Sequence, residues 1–145
     1  MSRINLTPEQ EKAVSARYSS LLVSAAAGRG KTRVLTERLM SYVADKSEPK
    51  DINSFLIITY TRAAAAELRG RIIEELSQRA AAEPENRRLR RQTTLCYRAQ
   101  IGTIHSFCTT ILREYCHKVG LTPDFRVGDD DKCIELKQKA LEKVL

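Results

Sequence analysis

The stretch that decides the fold is Leu21-Leu22-Val23-Ser24-Ala25-Ala26-Ala27-Gly28-Arg29-Gly30-Lys31-Thr32. It begins as a short apolar run, continues through small residues and ends in Gly-Lys-Thr. Behind it, apolar residues recur at helical spacing: Val34, Leu35, Leu39, Tyr42 and Val43. This order predicts a strand, a glycine-containing loop and a helix between Leu21 and Ala44, an arrangement that holds the phosphates of a nucleotide.

The predicted loop has the chemistry of a phosphate site. We expect its backbone N–H groups to turn inward around phosphate oxygens, and the residues concerned are Ala25, Ala26, Ala27, Gly28, Arg29 and Gly30. Lys31 would reach the β- and γ-phosphates, and the Thr32 hydroxyl would bind Mg²⁺. Because Ala25 stands where the full pattern has glycine, a small-residue turn before an ordinary helix is the alternative. Arg29 replaces a residue that is usually small, and it could add a phosphate contact or crowd the loop.

Composition narrows the class of protein. With 145 residues, 42% of them hydrophobic and 30% charged, the chain can bury one modest core and is typical of soluble globular proteins. We expect no membrane span and no secretory signal, because no apolar run is long enough. Four cysteines without a C-x-x-C pair argue against zinc and favour a reducing cytoplasm; Cys108 is expected in the core. The net charge of +7 favours polyanionic partners.

The N-terminal residues predict a capped helix. Thr7 is a good N-cap, Pro8 suits the first helical position, and Gln10 falls three residues after Thr7, which makes a capping box. The Gln10 amide carries both a donor and an acceptor, so it could instead recognise the edge of a base. The two roles do not exclude each other.

A second strand is predicted from Ser54 to Thr59, buried on both faces because its apolar run is continuous. A helix to about Arg79 would follow, with Arg69 on its polar face and an apolar face made of Ala65, Leu68, Ile72, Ile73 and Leu76. Ligands of open α/β sheets bind at the carboxyl ends of strands, and three residues lie there: Tyr60, Thr61 and Arg62. Tyr60 could stack on a base and Arg62 could contact a phosphate. The alternative is a tyrosine at the edge of the core and a solvated arginine.

A third strand is predicted from Ala99 to Thr103, followed by a helix with an apolar stripe from Ile104 to Val119. Gly120 is expected to end that helix. Thr103 and His105 lie at this junction, where exposed N–H groups and hydroxyls suit a phosphate backbone; helix capping and polar surface are the alternatives. Upstream, a basic helix carries Arg87, Arg88, Arg90 and Arg91. These arginines indicate a solvated face or a nucleic-acid-binding face. Acidic residues near Asp129 are ordinary charge before a final helix, and we expect no metal there.

Taken in order, these segments resemble superfamily 1A DNA helicases of the UvrD/Rep/PcrA type. The similar segments are Leu6–Gln10 (the Q motif), Ala25–Thr32 (motif I), Ile58–Leu68 (motif Ia) and Gly102–Phe107 (the next DNA-contacting motif). Further segments resemble the AddA family, the helicase–nuclease component of the bacterial AddAB complexes: Pro84–Gln92, Arg98–Ile101 and Val127–Leu145.

The resemblance implies an α/β fold of the P-loop NTPase (RecA-like) type, with three parallel strands flanked by helices. The domain would be incomplete, with its first part at residues 1–119 and the start of a helical inserted subdomain at 120–145. ATP and Mg²⁺ are the implied cofactors; Gln10 would read adenine, Lys31 would bind phosphate, Thr32 would hold Mg²⁺ and Arg33 would flank the adenine. Tyr60 matches a DNA-stacking position, and Thr103 and His105 match contacts to single-stranded DNA.

No Asp-Glu motif, arginine finger, second RecA-like domain or nuclease centre is recognisable in the sequence. We therefore expect an N-terminal part of a longer ATP-dependent DNA helicase and exonuclease of double-strand-break repair and recombination. The implied partners are single-stranded DNA or a duplex end and an AddB-type protein. Two other functions stay open: a non-helicase P-loop nucleotide-binding protein, and a non-catalytic basic nucleic-acid-binding module.

Overall fold

A computed structural model describes residues 6–17, 20–24, 26, 28 and 30–144, without the side chain of Asp130. The α-helices are α1 (Pro8–Ser15), α2 (Lys31–Val43), α3 (Arg62–Ala82), α4 (Arg87–Cys96), α5 (Ile104–Glu114) and α6 (Asp130–Glu142). The strands are β1 (Leu56–Thr59) and β2 (Gln100–Thr103), and Ile52–Ser54 and Cys116–Val119 are 3₁₀ helices. The chain forms two compact units, Met1–Ile104 and His105–Leu145.

The sheet is parallel, as predicted, but the described residues contribute two strands to it rather than three. β1 pairs with β2 in a register that runs from Leu56 opposite Gln100 to Thr59 opposite Thr103. The strand predicted to begin at Leu21 is wrong, because Leu21–Ser24 are described and have no regular secondary structure. A short apolar run becomes a strand only when a neighbouring strand completes its backbone hydrogen bonds, and Leu22 is 95% exposed.

The sheet is also covered less completely than predicted. β1 begins at Leu56 rather than Ser54, because the preceding residues turn into a 3₁₀ helix. Ile57 is buried, whereas Leu56 and Ile58 are 49% and 47% exposed. Side chains alternate between the faces of a strand, so the described residues bury one face of β1 and leave the other open.

The core of the first unit lies around α3, which packs against both strands, α2 and α4. The apolar face predicted for α3 is confirmed, with Leu68, Ile72 and Leu76 at most 5% exposed. The other buried core residues are Leu39, Met40, Val43, Ile52, Ile57, Leu89, Cys96, Ala99 and Ile101. The helix runs to Ala82, three residues beyond the predicted end and shortly before Pro84, whose ring disfavours helix at the residue before it.

Arg69 is not the solvated residue that its place in the sequence predicted. Its guanidinium is half-buried and donates to the backbone oxygens of Cys96 (2.6 Å), Ala99 (3.2 Å) and Ile101 (3.0 Å). These carbonyls lie at the end of α4 and the start of β2. One α3 side chain therefore satisfies the backbone of the connection that leads into the second strand.

Arg88 likewise departs from the predicted solvated face of α4. It donates to the Val43 carbonyl oxygen, to that of Lys50 (2.9 Å) and to the Asp51 carboxylate (3.0 Å). Gln92, which is fully buried, accepts from the Ile52 N–H (2.9 Å) and donates to Asp51 (2.7 Å). Both side chains fix the 3₁₀ helix before β1, because a buried amide must find partners.

The second unit contains the remainder of the chain. The stripe predicted to run to Val119 divides into α5 and a 3₁₀ helix, and Gly120 ends it at a positive φ of 69°, as predicted. No residue of α5, all of which is described, is buried, and the prediction that Cys108 is a core residue is wrong, since its side chain is exposed. Asp129 caps α6 by accepting from the Lys132 N–H at 2.9 Å. The described helices include none long and apolar enough to cross a bilayer.

Candidate functional site

Two glycines of the turn before α2 have a left-handed backbone conformation. Gly28 and Gly30 both have φ of 76°, a left-handed conformation that glycine adopts without steric cost. Gly30 is the N-cap of α2, so the first N–H groups of this 13-residue helix face the turn. Ala25, Ala27 and Arg29 lie outside the described residues, whereas Ala26 is described and exposed.

Lys31 folds back over this turn. Its Nζ donates to the carbonyl oxygen of Ala26 at 2.9 Å. The ammonium group is thus held above the loop, where a phosphate that binds to the loop would meet it. Thr32 follows in the first turn of α2 with an exposed side chain, and its carbonyl oxygen accepts from the Thr36 hydroxyl at 3.0 Å.

Gln10 lies beside the same turn. The predicted capping box is confirmed: Gln10 Oε1 accepts from the Thr7 N–H at 3.0 Å, and the Thr7 hydroxyl accepts from the Gln10 N–H at 3.4 Å. A Cβ added to Gly30 would lie 3.4 Å from Gln10 Nε2. The structure therefore places the glutamine amide of α1 beside the Gly30 turn, so that a side chain at position 30 would meet it.

A cavity of about 530 Å³ joins these groups. Its lining residues are Thr7, Glu9, Gln10, Ala13, Val23, Ser24, Ala26, Lys31 and Val34. The volume is within the range of about 300–1,000 Å³ found for small-molecule sites. One concave site with apolar walls thus contains the Gln10 amide and the Lys31 ammonium group. The first can recognise a base, and the second can neutralise phosphate.

Four described residues that were predicted to bind nucleotide are not part of this lining: Gly28, Gly30, Thr32 and Arg33. Arg33 is exposed and lines a separate polar cleft of about 290 Å³ between α2 and α3, together with Glu37, Arg71 and Glu75 among others. Thr32 lines neither space. The roles of these four residues stay predictions.

The carboxyl ends of the two strands bring four predicted nucleic-acid-binding residues to one edge. Thr59 and Thr103 are opposite each other at the ends of β1 and β2, and Tyr60 and Arg62 follow with exposed side chains. Tyr60 is fully exposed (103%), so the alternative of a tyrosine at the core edge is wrong. Thr61 has the capping role of an N-cap residue, because its hydroxyl accepts from the Ala64 N–H at 3.1 Å.

His105 belongs to the second compact unit. It lies in the first turn of α5 with an exposed side chain, and its carbonyl oxygen accepts from the Thr109 hydroxyl at 2.8 Å. Its predicted contact with DNA stays a prediction.

Sequence reasoning missed the cluster that joins α1 to α2. The Arg17 guanidinium carbon lies 4.1 Å from the centroid of the Tyr42 ring, and that of Arg38 lies 5.4 Å from it. Arg38 and Tyr42 are four residues apart on one helix, a spacing at which side chains meet. That spacing was the available signal for this pair, but nothing local in the sequence indicates Arg17.

Comparison with known proteins gives the family. The model of the UvrD/REP helicase N-terminal domain matches residues 6–145. The chain belongs to the UvrD/Rep helicase family. The resemblance inferred from the four motifs is thereby confirmed.

Relatives of this UvrD/Rep domain extend the comparison. The chain is 42% identical over 144 residues to the AddA-type ATP-dependent helicase/nuclease protein of Clostridioides difficile (strain 630), and the match covers 99% of this chain. It is 45% identical over 138 residues to the protein of the same name in Thermoanaerobacter sp. (strain X514), and that match covers 95% of this chain. The matched region is 11% of the length of each relative.

Proposed function

We propose that this chain is the ATP-binding and single-stranded-DNA-contacting N-terminal part of an ATP-dependent DNA helicase–nuclease of recombinational repair. The observation that carries the proposal is the cavity that Gln10 and Lys31 share. Adenine presents an acceptor at N7 and a donor at N6, which the donor and acceptor of a glutamine amide complement. A lysine that follows a glycine turn at a helix N-terminus complements phosphate.

The residues present fit a bound Mg²⁺-ATP. Lys31 would neutralise phosphate charge, the N–H groups at the start of α2 would donate to the same oxygens, and Gln10 would orient the base. Thr32 would bind the metal and Arg33 would flank the adenine, as the family resemblance implies; the same basis supports loop contacts by Ala25, Ala27 and Arg29. The nucleotide, when bound, supplies the phosphoanhydride bond whose hydrolysis drives movement on DNA. This arrangement supports a P-loop NTPase (RecA-like) fold.

The edge of the sheet supports a DNA contact. A fully exposed tyrosine beside an exposed arginine offers a stacking surface and a phosphate contact at once. Tyr60, Arg62 and Thr103 would act together there, with Thr61 at the helix N-terminus. For His105, in the second unit, the family resemblance supports a DNA contact of its own. The start of a helical subdomain at residues 120–145, a nuclease in the complete protein and an AddB-type partner belong to the same proposal. The names of the relatives support it.

Calorimetric titration of Mg²⁺-ATP tests the nucleotide site. We expect the unmodified chain to bind, and we expect Lys31→Ala to weaken binding by at least about tenfold, because it removes a charge-assisted contact to phosphate. Lys137→Ala is the matched control, since Lys137 is an exposed lysine of α6. A cooperatively folded chain that does not bind ATP, or that binds equally well after Lys31→Ala, would contradict the proposed site.

Binding of a fluorescent single-stranded oligonucleotide tests the DNA edge. Tyr60→Ala should weaken binding by about tenfold or more, since stacking of one base is worth about 1–3 kcal/mol. Tyr97→Ala is the control, because Tyr97 is also exposed (69%) but lies at the end of α4. Equal losses in both variants, with a steep salt dependence, would indicate a basic nucleic-acid-binding module instead.

A further inference from the structure

Helix α1 is too short and too exposed to be stable without contacts from other parts of the chain. It has eight residues, of which Ala13 alone among those described is buried. Isolated helices shorter than about 12–15 residues are marginal in water. The place of Gln10 relative to the loop must therefore be set by contacts from other elements.

These contacts come from α2 and from Arg17, and they reach the carboxyl end of α1. Arg38 Nη1 donates to the carbonyl oxygen of Ala13 at 2.6 Å. The Ser41 hydroxyl donates to the Arg38 carbonyl oxygen at 2.6 Å and lies 3.4 Å from the Val14 oxygen. Arg17 Nη1 also donates to the Val14 oxygen, at 2.8 Å. Carbonyls in the last turn of a helix lack partners within the helix, and positive charge there complements the negative end of its dipole.

Tyr42 orders the two arginines. Both guanidinium groups lie over or beside its ring, as described above, and Arg38 Nη2 lies 3.2 Å from the Tyr42 hydroxyl oxygen. Arg17 Nη2 donates to Ser41 Oγ at 2.9 Å. Cation–π contact and these hydrogen bonds limit the rotamers of both side chains. We call the four residues Arg17, Arg38, Ser41 and Tyr42 the carbonyl clamp.

One helix thus carries two functions. Lys31 stands at the first turn of α2, and the carbonyl clamp begins two turns later on the same helix. Gln10 precedes Ala13 by three residues and therefore lies one turn from the clamped carbonyls. The capping box fixes the direction of its amide, because Oε1 accepts from the Thr7 N–H.

We propose that the carbonyl clamp sets the preference of the site for adenine over guanine nucleotides, with Arg38 as its principal positioning residue. The inference rests on the proposed nucleotide function. Guanine presents two acceptors, N7 and O6, where adenine presents an acceptor and a donor. Only an amide held in one place and one orientation distinguishes these edges, and Arg38 acts through that placement without touching the nucleotide.

The test measures the ratio of GTP to ATP dissociation constants, by competition against a fluorescent ATP analogue. Arg38→Met should lower this ratio by about tenfold, so that it approaches the ratio measured for Gln10→Ala. A tenfold change is the loss expected for one misplaced hydrogen-bonding group. The double variant should lose no more than Gln10→Ala alone, because both act through one contact. Affinity for inorganic tripolyphosphate should stay unchanged in Arg38→Met, since Lys31 binds phosphate independently of α1. Arg90→Met, an exposed arginine of α4, should match the unmodified chain.

Hydrogen exchange provides a second measurement that needs no nucleotide. Amides of α1 should exchange faster in Arg38→Met than in Arg90→Met, because the clamp holds the helix in place. If Arg38→Met does not fold cooperatively, Arg38→Lys replaces it; the loss of the forked donors should give an intermediate ratio.

The outcomes separate this inference from the proposed function. If the preference for ATP depends on Gln10 but Arg38→Met leaves it intact, the role proposed for the carbonyl clamp is wrong and the proposed nucleotide site stands. Binding that ignores Lys31→Ala, or the absence of binding by the folded chain, overturns both. Loss of tripolyphosphate affinity together with base preference in Arg38→Met also overturns the clamp, since it indicates general damage to the site.

Discussion

At the residue scale, the Arg69 side chain stabilises the backbone of the connection between α4 and β2. Its guanidinium serves three backbone oxygens between α4 and β2. Arg69→Met keeps the apolar stem and leaves these half-buried carbonyls without their donors. We expect the free energy of unfolding to fall by about 2–3 kcal/mol, measured as a lower urea midpoint with an unchanged slope.

The control for that prediction is Arg71→Met on the same helix. Arg71 forms an exposed ion pair with Glu67 at 2.5 Å, and exposed pairs contribute about 0–1 kcal/mol. If both variants lose equal stability, the buried role assigned to Arg69 is wrong. The sequence could not distinguish these two arginines, because both lie off the apolar face of α3 and only distant carbonyls make them different.

At the element scale, helix α1 depends on its cap. Thr7→Ala removes the hydroxyl that accepts from the Gln10 N–H, and the loss of such a cap costs about 1 kcal/mol. We expect faster hydrogen exchange in α1 and weaker ATP binding, because Gln10 would no longer be held beside Gly30. Thr7→Ser keeps the hydroxyl and is the matched control. Retention of both properties in Thr7→Ala would show that the carbonyl clamp alone positions the helix.

Features of the helices that depend on nearby residues were predicted from the sequence, whereas features that depend on distant residues were not. The start of α1 and the end at Gly120 were predicted because caps and breakers act within a few residues. The strand expected at Leu21 was wrong because a strand depends on a partner elsewhere in the chain. The placement of Gln10 beside Gly30 is also non-local. The sequence predicted a role for each residue but not the helix packing that brings them together.

At the scale of the whole molecule, the four cysteines divide into two that are buried and two that are exposed. Cys96 and Cys116 are buried, whereas Cys108 and Cys133 are exposed. Burial raises the pKa of the Cys96 thiol above its usual value, against the opposing effect of nearby Arg69. We expect two thiols to react rapidly with a thiol reagent at neutral pH and all four in urea, counted by mass spectrometry. Rapid modification of Cys96 in the folded chain would contradict the core that surrounds it.

Hydrolysis of ATP requires more groups than binding of ATP. The chain matches 11% of the length of its relatives, and phosphoryl transfer requires a positioned water and transition-state charge stabilisation in addition to a phosphate cradle. No Asp-Glu motif or arginine finger is recognisable in the sequence, so we expect the 145-residue chain to bind ATP without hydrolysing it in response to DNA. Phosphate release measured with and without single-stranded DNA tests this, with Lys31→Ala as the background. DNA-stimulated release that Lys31→Ala abolishes would mean that these residues contain a complete catalytic set, and that the remainder of a longer protein serves movement and nuclease action rather than hydrolysis.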